Sequence, residues 1–167
     1  MLILVALALA AVVVGAVIYF TNAPSPSMQG AAALSVSDPS MPVSMDTLAV
    51  GTQSQITTPT NYLITSKAQL EQLWAMTDAS GQVPSVDFST HAVLAVFAGQ
   101  EPTAGYSIAI SSIRDSSTTR VVTITLTKPG GSCVVGQVVT APYEIVSVPS
   151  TMLALTHADV TSTASCI

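Results

Sequence analysis

Apolar positions along the chain change their spacing several times, and each change marks an element. Residues 1 to 20, MLILVALALAAVVVGAVIYF, are apolar on every face. At about 1.5 Å rise per residue such a run is roughly as long as the ~30 Å hydrocarbon core of a bilayer, so it reads as a membrane-spanning anchor. Residues 21 to 46 carry four prolines, many small residues and no repeating apolar face. They read as a tether of about 25 to 30 Å root-mean-square span if it behaves as a flexible coil. In TSKAQLEQLWAMTDASG the period becomes helical: Leu70, Leu73, Trp74 and Thr77 share one face. Ser66 is placed to cap the N-terminus, with Gln69 in the reciprocal position, and Gly81 follows as a stop, so the pattern predicts one short helix over about 66 to 77.

Beyond it the period shortens to that of strands. HAVLAVFA, 91 to 98, is apolar on both faces, as a central strand covered on each side would be. YSIAISSI, 106 to 113, puts Tyr106, Ile108 and Ile110 on one face, and RVVTITLT, 120 to 127, puts Val122, Ile124 and Leu126 opposite Thr123, Thr125 and Thr127. The polar segment RDSSTT between these two runs predicts an antiparallel hairpin. GQVVTAPYEIVSV, 136 to 148, is strand-like but broken by Pro142, which removes a ladder donor and marks an edge or a bulge. TMLALTHADV, 151 to 160, adds one more strand. The expectation is a mainly β (α+β) domain over residues 47 to 167, an antiparallel sandwich-like or barrel-like fold with one short helix, with no internal repeat and no second domain.

The first twenty residues also decide the compartment. A cleaved signal peptide is the alternative, but no Lys or Arg precedes the apolar run, and the small-residue stop TNA at 21 to 23 runs straight into Pro24. An uncleaved anchor fits better. The first lysine is Lys67, so the positive-inside rule has little to count. The Ser/Thr-rich, charge-poor remainder favours an extracytoplasmic domain on a single-pass cell-membrane anchor. There Cys133 and Cys166 are either a disulfide or two buried thiols, since spacing alone does not show that the sulfurs meet. A bond would close a loop of about 34 residues and stabilise the fold by roughly 3 to 4 kcal/mol.

Charge and candidate chemistry remove function classes. Four Lys and Arg stand against nine Asp and Glu, with no basic patch, which argues against nucleic acid as a partner. Two cysteines without C-x-x-C spacing and two distant histidines make no metal-site signature. GQEPTAG lacks the Gly-Lys-Ser/Thr of a phosphate loop, and GYSIA lacks the second glycine of a nucleophile elbow. His91 and His157 sit at strand ends, and Asp87, Glu101 and Glu144 are isolated among apolar neighbours. No enzyme activity and no cofactor is expected.

The runs VDFSTHAVLAVFAGQEPTAGYSIAI and GSCVVGQVVTAPYEIVSVP resemble the C-terminal domain of the PrcB protease-complex subunit family. The resemblance is carried by Asp87, Phe88, Gly99, Pro102, Thr103, Gly105, Tyr106, Cys133, Pro142 and Tyr143. Ala104 stands where the family often has a second glycine, and Glu144 where His is common. It implies a non-catalytic, surface-exposed subunit that binds or stabilises an extracellular protease complex. A weaker resemblance is to chagasin-like cysteine-protease inhibitors, through EPTAGYSI, PGGSC and APYE in the same order. Glu101, Ile108 and Ala141 there replace the family's Asn, Trp and Arg.

The expected function is therefore a non-catalytic, membrane-tethered, extracytoplasmic protein-interaction domain. A protease inhibitor and a pilin-like filament subunit are the alternatives. Gly99, Pro102 and Gly105 are expected to shape a turn. Thr103, Tyr106, Pro142 and Tyr143 are the residues expected to meet a partner if they share an exposed surface.

Overall fold

Among residues 40–166, which the computed structural model describes, the chain forms eight strands and one helix. In order they are β1 (Met41–Pro42), β2 (Asp46–Gly51), β3 (Thr60–Ile64), α1 (Lys67–Trp74), β4 (His91–Phe97), β5 (Ser107–Asp115), β6 (Thr119–Pro129), β7 (Tyr143–Pro149) and β8 (Ala154–Ala164). They build two four-stranded sheets, ordered β1-β5-β6-β8 and β2-β7-β4-β3. Both sheets have open edges, so the architecture is a sandwich and the barrel alternative falls away.

The doubly apolar β4 is a central strand, between β7 and β3. One set of its alternating side chains, Ala92, Leu94 and Val96, joins Ile108, Ile110, Val122 and Ile124 in the core between the sheets. The other set, Val93, Ala95 and Phe97, packs with Leu70, Leu73 and Trp74 of α1. The result is three layers: sheet, sheet, helix. Ser66 caps α1 by accepting a bond from the Gln69 N–H at 3.4 Å, and Gln69 Oε1 reaches back to the Thr65 N–H at 3.0 Å. The helix is shorter than the apolar spacing suggests, with its C-cap at Ala75. Its three buried side chains contribute about 1.5 to 3 kcal/mol each, which is what holds so short a helix in place.

β5 and β6 form the expected antiparallel hairpin, with one irregularity between Ile110 and Ser112. Ser111 is the extra residue, so the buried positions run Ile108, Ile110 and then Ile113. At this bulge the Ile110 N–H donates to Glu144 Oε2 at 2.6 Å. Glu144 comes from β7 in the opposite sheet and is buried, so the bond ties the two layers across an otherwise apolar core. Arg120, also buried, closes the other end of the hairpin. Its Nε and Nη2 donate to the two carboxylate oxygens of Asp115 at 2.7 and 2.8 Å, and its Nη1 donates to the Pro149 carbonyl.

Four expectations change. The strand expected over 136 to 148 begins only at Tyr143, because residues 134 to 139 have exposed valines and no ladder partner, so that stretch is a loop. β8 pairs with β6 in parallel rather than antiparallel, from Thr119↔Ala154 to Pro129↔Ala164. The intervening β7 makes its reversal in the other sheet, so β6 and β8 run the same way. Third, part of the segment read as a tether belongs to the domain. Met41 and Pro42 pair with Asp115 and Arg114, Val43 and Met45 pack on the inter-sheet core, and Arg114 Nε donates to Ser40 Oγ at 2.9 Å. Finally, β2 and β3, which the apolar pattern did not single out, form the edges of the second sheet. The anchor over 1 to 20 and the tether up to residue 39 lie outside the described residues. Among the described residues no helix is long and apolar enough to cross a membrane.

Candidate protein-contact surface

Two loops meet at one end of the sandwich: residues 98 to 106, between β4 and β5, and residues 130 to 142, between β6 and β7. Backbone bonds hold them together. The Glu101 N–H donates to the Thr140 carbonyl at 2.8 Å and the Thr140 N–H returns to Glu101 at 3.0 Å, while Ala104 N–H reaches the Gly136 carbonyl at 3.0 Å. Thr140 Oγ1 adds a bond to the Thr103 carbonyl at 3.0 Å, and Gln53 Nε2 reaches the Val139 carbonyl at 3.3 Å. A third anchor is covalent: Cys133 and Cys166 form a disulfide with Cα atoms 5.2 Å apart.

Glycines at both ends of the first loop have φ in the left-handed region, +78° at Gly99 and +89° at Gly105. A Cβ on Gly99 would also lie 2.8 Å from the Pro59 nitrogen, where backbone packs against backbone. Gly99→Ala is therefore expected to cost about 1 to 3 kcal/mol in urea denaturation. Gly131→Ala, with open space around its Cβ and no positive φ, serves as the control and should be nearly neutral.

The four residues expected to meet a partner do not share one surface. Tyr143 is 1% exposed and stacks on Phe97 with ring centroids 5.7 Å apart, on the helix side of the sheet. Burial pushes its phenol above the ordinary tyrosine value. Pro142 is fully buried beside it, and its carbonyl accepts from the Ala98 N–H at 3.0 Å. These two expectations are corrected: the Pro-Tyr pair leads straight into a central strand, so its side chains serve the core. Of the three segments resembling an inhibitor's loops, the last thus contributes no exposed side chain from Pro142 or Tyr143. Thr103 and Tyr106 are half-buried at the loop's margin, and the Thr103 hydroxyl is turned to the Ala104 carbonyl at 3.1 Å.

What the strand-like reading of 136 to 148 concealed is the second loop's surface. Val134 is fully exposed, and Val138 and Val139 are 53% and 54% exposed. These valines are displayed on a loop that a disulfide and several backbone bonds hold in shape, and Pro102 of the neighbouring loop is exposed as well. The strand-like spacing of 136 to 148 hid Val138 and Val139, because spacing does not say whether a ladder partner exists.

The polar side chains Asp87 and His157 have local partners. Asp87 accepts from the Ser89 N–H at 3.0 Å and from the Ser89 hydroxyl at 2.6 Å, so it shapes the turn before β4. Those bonds hold its carboxyl below the usual range. His157 Nδ1 lies 3.0 Å from Asp159 on exposed β8. Among the described residues no cluster of three or more His, Cys, Asp or Glu could hold a metal.

Residues 92–149 match the family model described as PrcB C-terminal. That segment runs from β4 to the end of β7 and contains both loops of the surface, the Glu144 bond and the Arg120–Asp115 pair. No curated protein and no solved structure matches the chain.

Proposed function

We propose, from the premise that residues 92–149 are a PrcB-like C-terminal domain, that the chain is a non-catalytic subunit contributing a protein-contact surface to a protease-associated assembly. The carrying observation is the pinned loop with Val134, Val138 and Val139 exposed beside the 98 to 106 loop. A surface fixed before binding loses little conformational entropy on association, so modest apolar area yields useful affinity. Thr103 and Tyr106 lie at its margin.

The reading places the domain outside the cytoplasm, tethered by the apolar run at 1 to 20. Its support is that run's length and the Cys133–Cys166 disulfide, a bond that persists in oxidising compartments and is rare in reducing ones. The test is affinity capture of the full chain from native membranes, followed by mass spectrometry. A protease-containing complex is expected with the parent chain. The double variant Val138→Asp, Val139→Asp should reduce its recovery tenfold or more, which is about 1.4 kcal/mol of binding, with the melting temperature unchanged because both positions are exposed. Recovery of no protease, or recovery indifferent to the double variant, overturns the proposal.

A further inference from the structure

The two sheets part along one side, where β3 of one and β8 of the other face each other as edges. Between them lies a groove of about 790 Å³. Its floor is the inter-sheet core itself, lined by the buried side chains of Leu94, Val96, Val122 and Ile124. A volume of that order is what a bound ligand fills, and far more than a packing defect in an interior otherwise close to crystal density.

The walls identify the kind of occupant. β3 pairs only with β4 and β8 only with β6, so each presents a row of backbone groups with no strand beside it among the described residues. The two edges are guarded differently. On β8 the parallel register sets His157 and Asp159 beside Val122 and Ile124, so they stand on the groove-facing side of the strand. Charged residues turned inward are a device by which edge strands refuse further pairing. β3, sequence TNYLI, has none: no charge, no proline and no break in its register with β4, while Leu63 is 52% exposed. By the same register Asn61 and Leu63 lie on the groove side, opposite β8.

Charge narrows the chemistry further. Glu101 and Asp159 line the groove, and no Lys or Arg does. A small apolar molecule would cover the floor but leave the backbone row of β3 and the Glu101 carboxylate unanswered, and it would add nothing to Asp159 beyond its contact with His157. We infer that this groove receives an extended peptide segment of a protein partner, added as a strand along β3, with alternate apolar side chains on the floor and a Lys or Arg toward Asp159 or Glu101. Five residues of β3 offer about 16 Å of edge at ~3.3 Å per residue, enough for a short strand. This deepens the protein-contact reading and rests on it, but it uses a different surface from the valine loop.

The test pans a random decapeptide display library on the full chain held in phosphatidylcholine nanodiscs. The strongest enriched peptides are then synthesised and their binding measured by fluorescence anisotropy. Enriched sequences should alternate apolar residues, carry Lys or Arg and avoid central proline. Their binding should weaken at least tenfold with Leu63→Lys and with Asp159→Lys, and peptide should slow amide exchange at residues 60 to 64. Both positions are exposed, so the variants should fold as the parent does. Enrichment of no peptide, or of peptides indifferent to Leu63→Lys, overturns the inference. So does dodecanoate binding that Leu63→Lys abolishes while no peptide competes, which would make the groove an apolar small-molecule site. Peptide binding should ignore Val138→Asp, Val139→Asp. If those variants lose the protease complex and no groove-dependent peptide appears, this inference alone falls.

Discussion

Arg120→Ala is expected to cost about 3 to 5 kcal/mol at neutral pH, measured by urea denaturation. The side chain is buried and divides its donors between Asp115 and the Pro149 carbonyl, so its loss strands a partly buried carboxylate and frees the end of β7 from the hairpin. The two-point hydrogen bond from Arg120, reinforced by its charge, holds the Asp115 carboxyl below the usual carboxylate range. The sign follows from that depression. Asp115 contributes its full share of stability above the unfolded-state value of about 3.9, and the share fades as pH falls through the lower folded-state value. The penalty of Arg120→Ala should therefore shrink as pH falls below about 4, because a protonated Asp115 no longer leaves an unpaired charge. An equal penalty at pH 7 and pH 2.5 would show that the pair is held by packing alone.

Reducing the disulfide is expected to lower stability by roughly 3 to 4 kcal/mol and the melting temperature by on the order of 10 °C. The bond joins residues 33 apart in sequence. It also joins the loop after β6 to the segment after β8, two strands that run in parallel side by side. β8 buries almost nothing, so its backbone ladder and this bond are what fix it. Next to the bond, the Gly130 N–H donates to the Ala164 carbonyl at 3.1 Å. Thermal melts with and without reductant, compared with Cys133→Ser/Cys166→Ser, measure the cost, and amide exchange over 154 to 164 should rise far more than over β4 or β7. Uniform acceleration across the domain would mean that the bond acts only on the unfolded chain.

Local features were readable where local physics decides them. Ser66, Gln69 and the Leu70-Leu73-Trp74 spacing determined α1, because a cap and one apolar face are enough to define a short helix. Apolar residues on both faces of 91 to 98 determined that β4 would be covered twice. Alternation with a polar turn determined the β5–β6 hairpin, and the Pro-Gly pattern of GQEPTAGY marked the loop that the family match also contains.

Partners distant in sequence decided the rest. Whether 134 to 139 becomes a strand depends on an edge beside it, and none lies there among the described residues, so Val134, Val138 and Val139 are displayed instead. Pro142 and Tyr143 stand at a break in the strand pattern, but Tyr143 opens the central strand β7 and its ring packs on Phe97 in the helix-side core, with Pro142 buried beside it. Glu144 looked isolated until the fold set its carboxylate against the Ile110 N–H in the opposite sheet. The groove exists because β3 and β8, about ninety residues apart in the chain, end as facing edges that no strand among the described residues pairs. By itself the sequence determined the elements whose reasons are local, the helix cap, the apolar alternation and the glycine turns. The tertiary structure decided which faces meet water, because burial is settled by what packs against a segment and not by the segment alone.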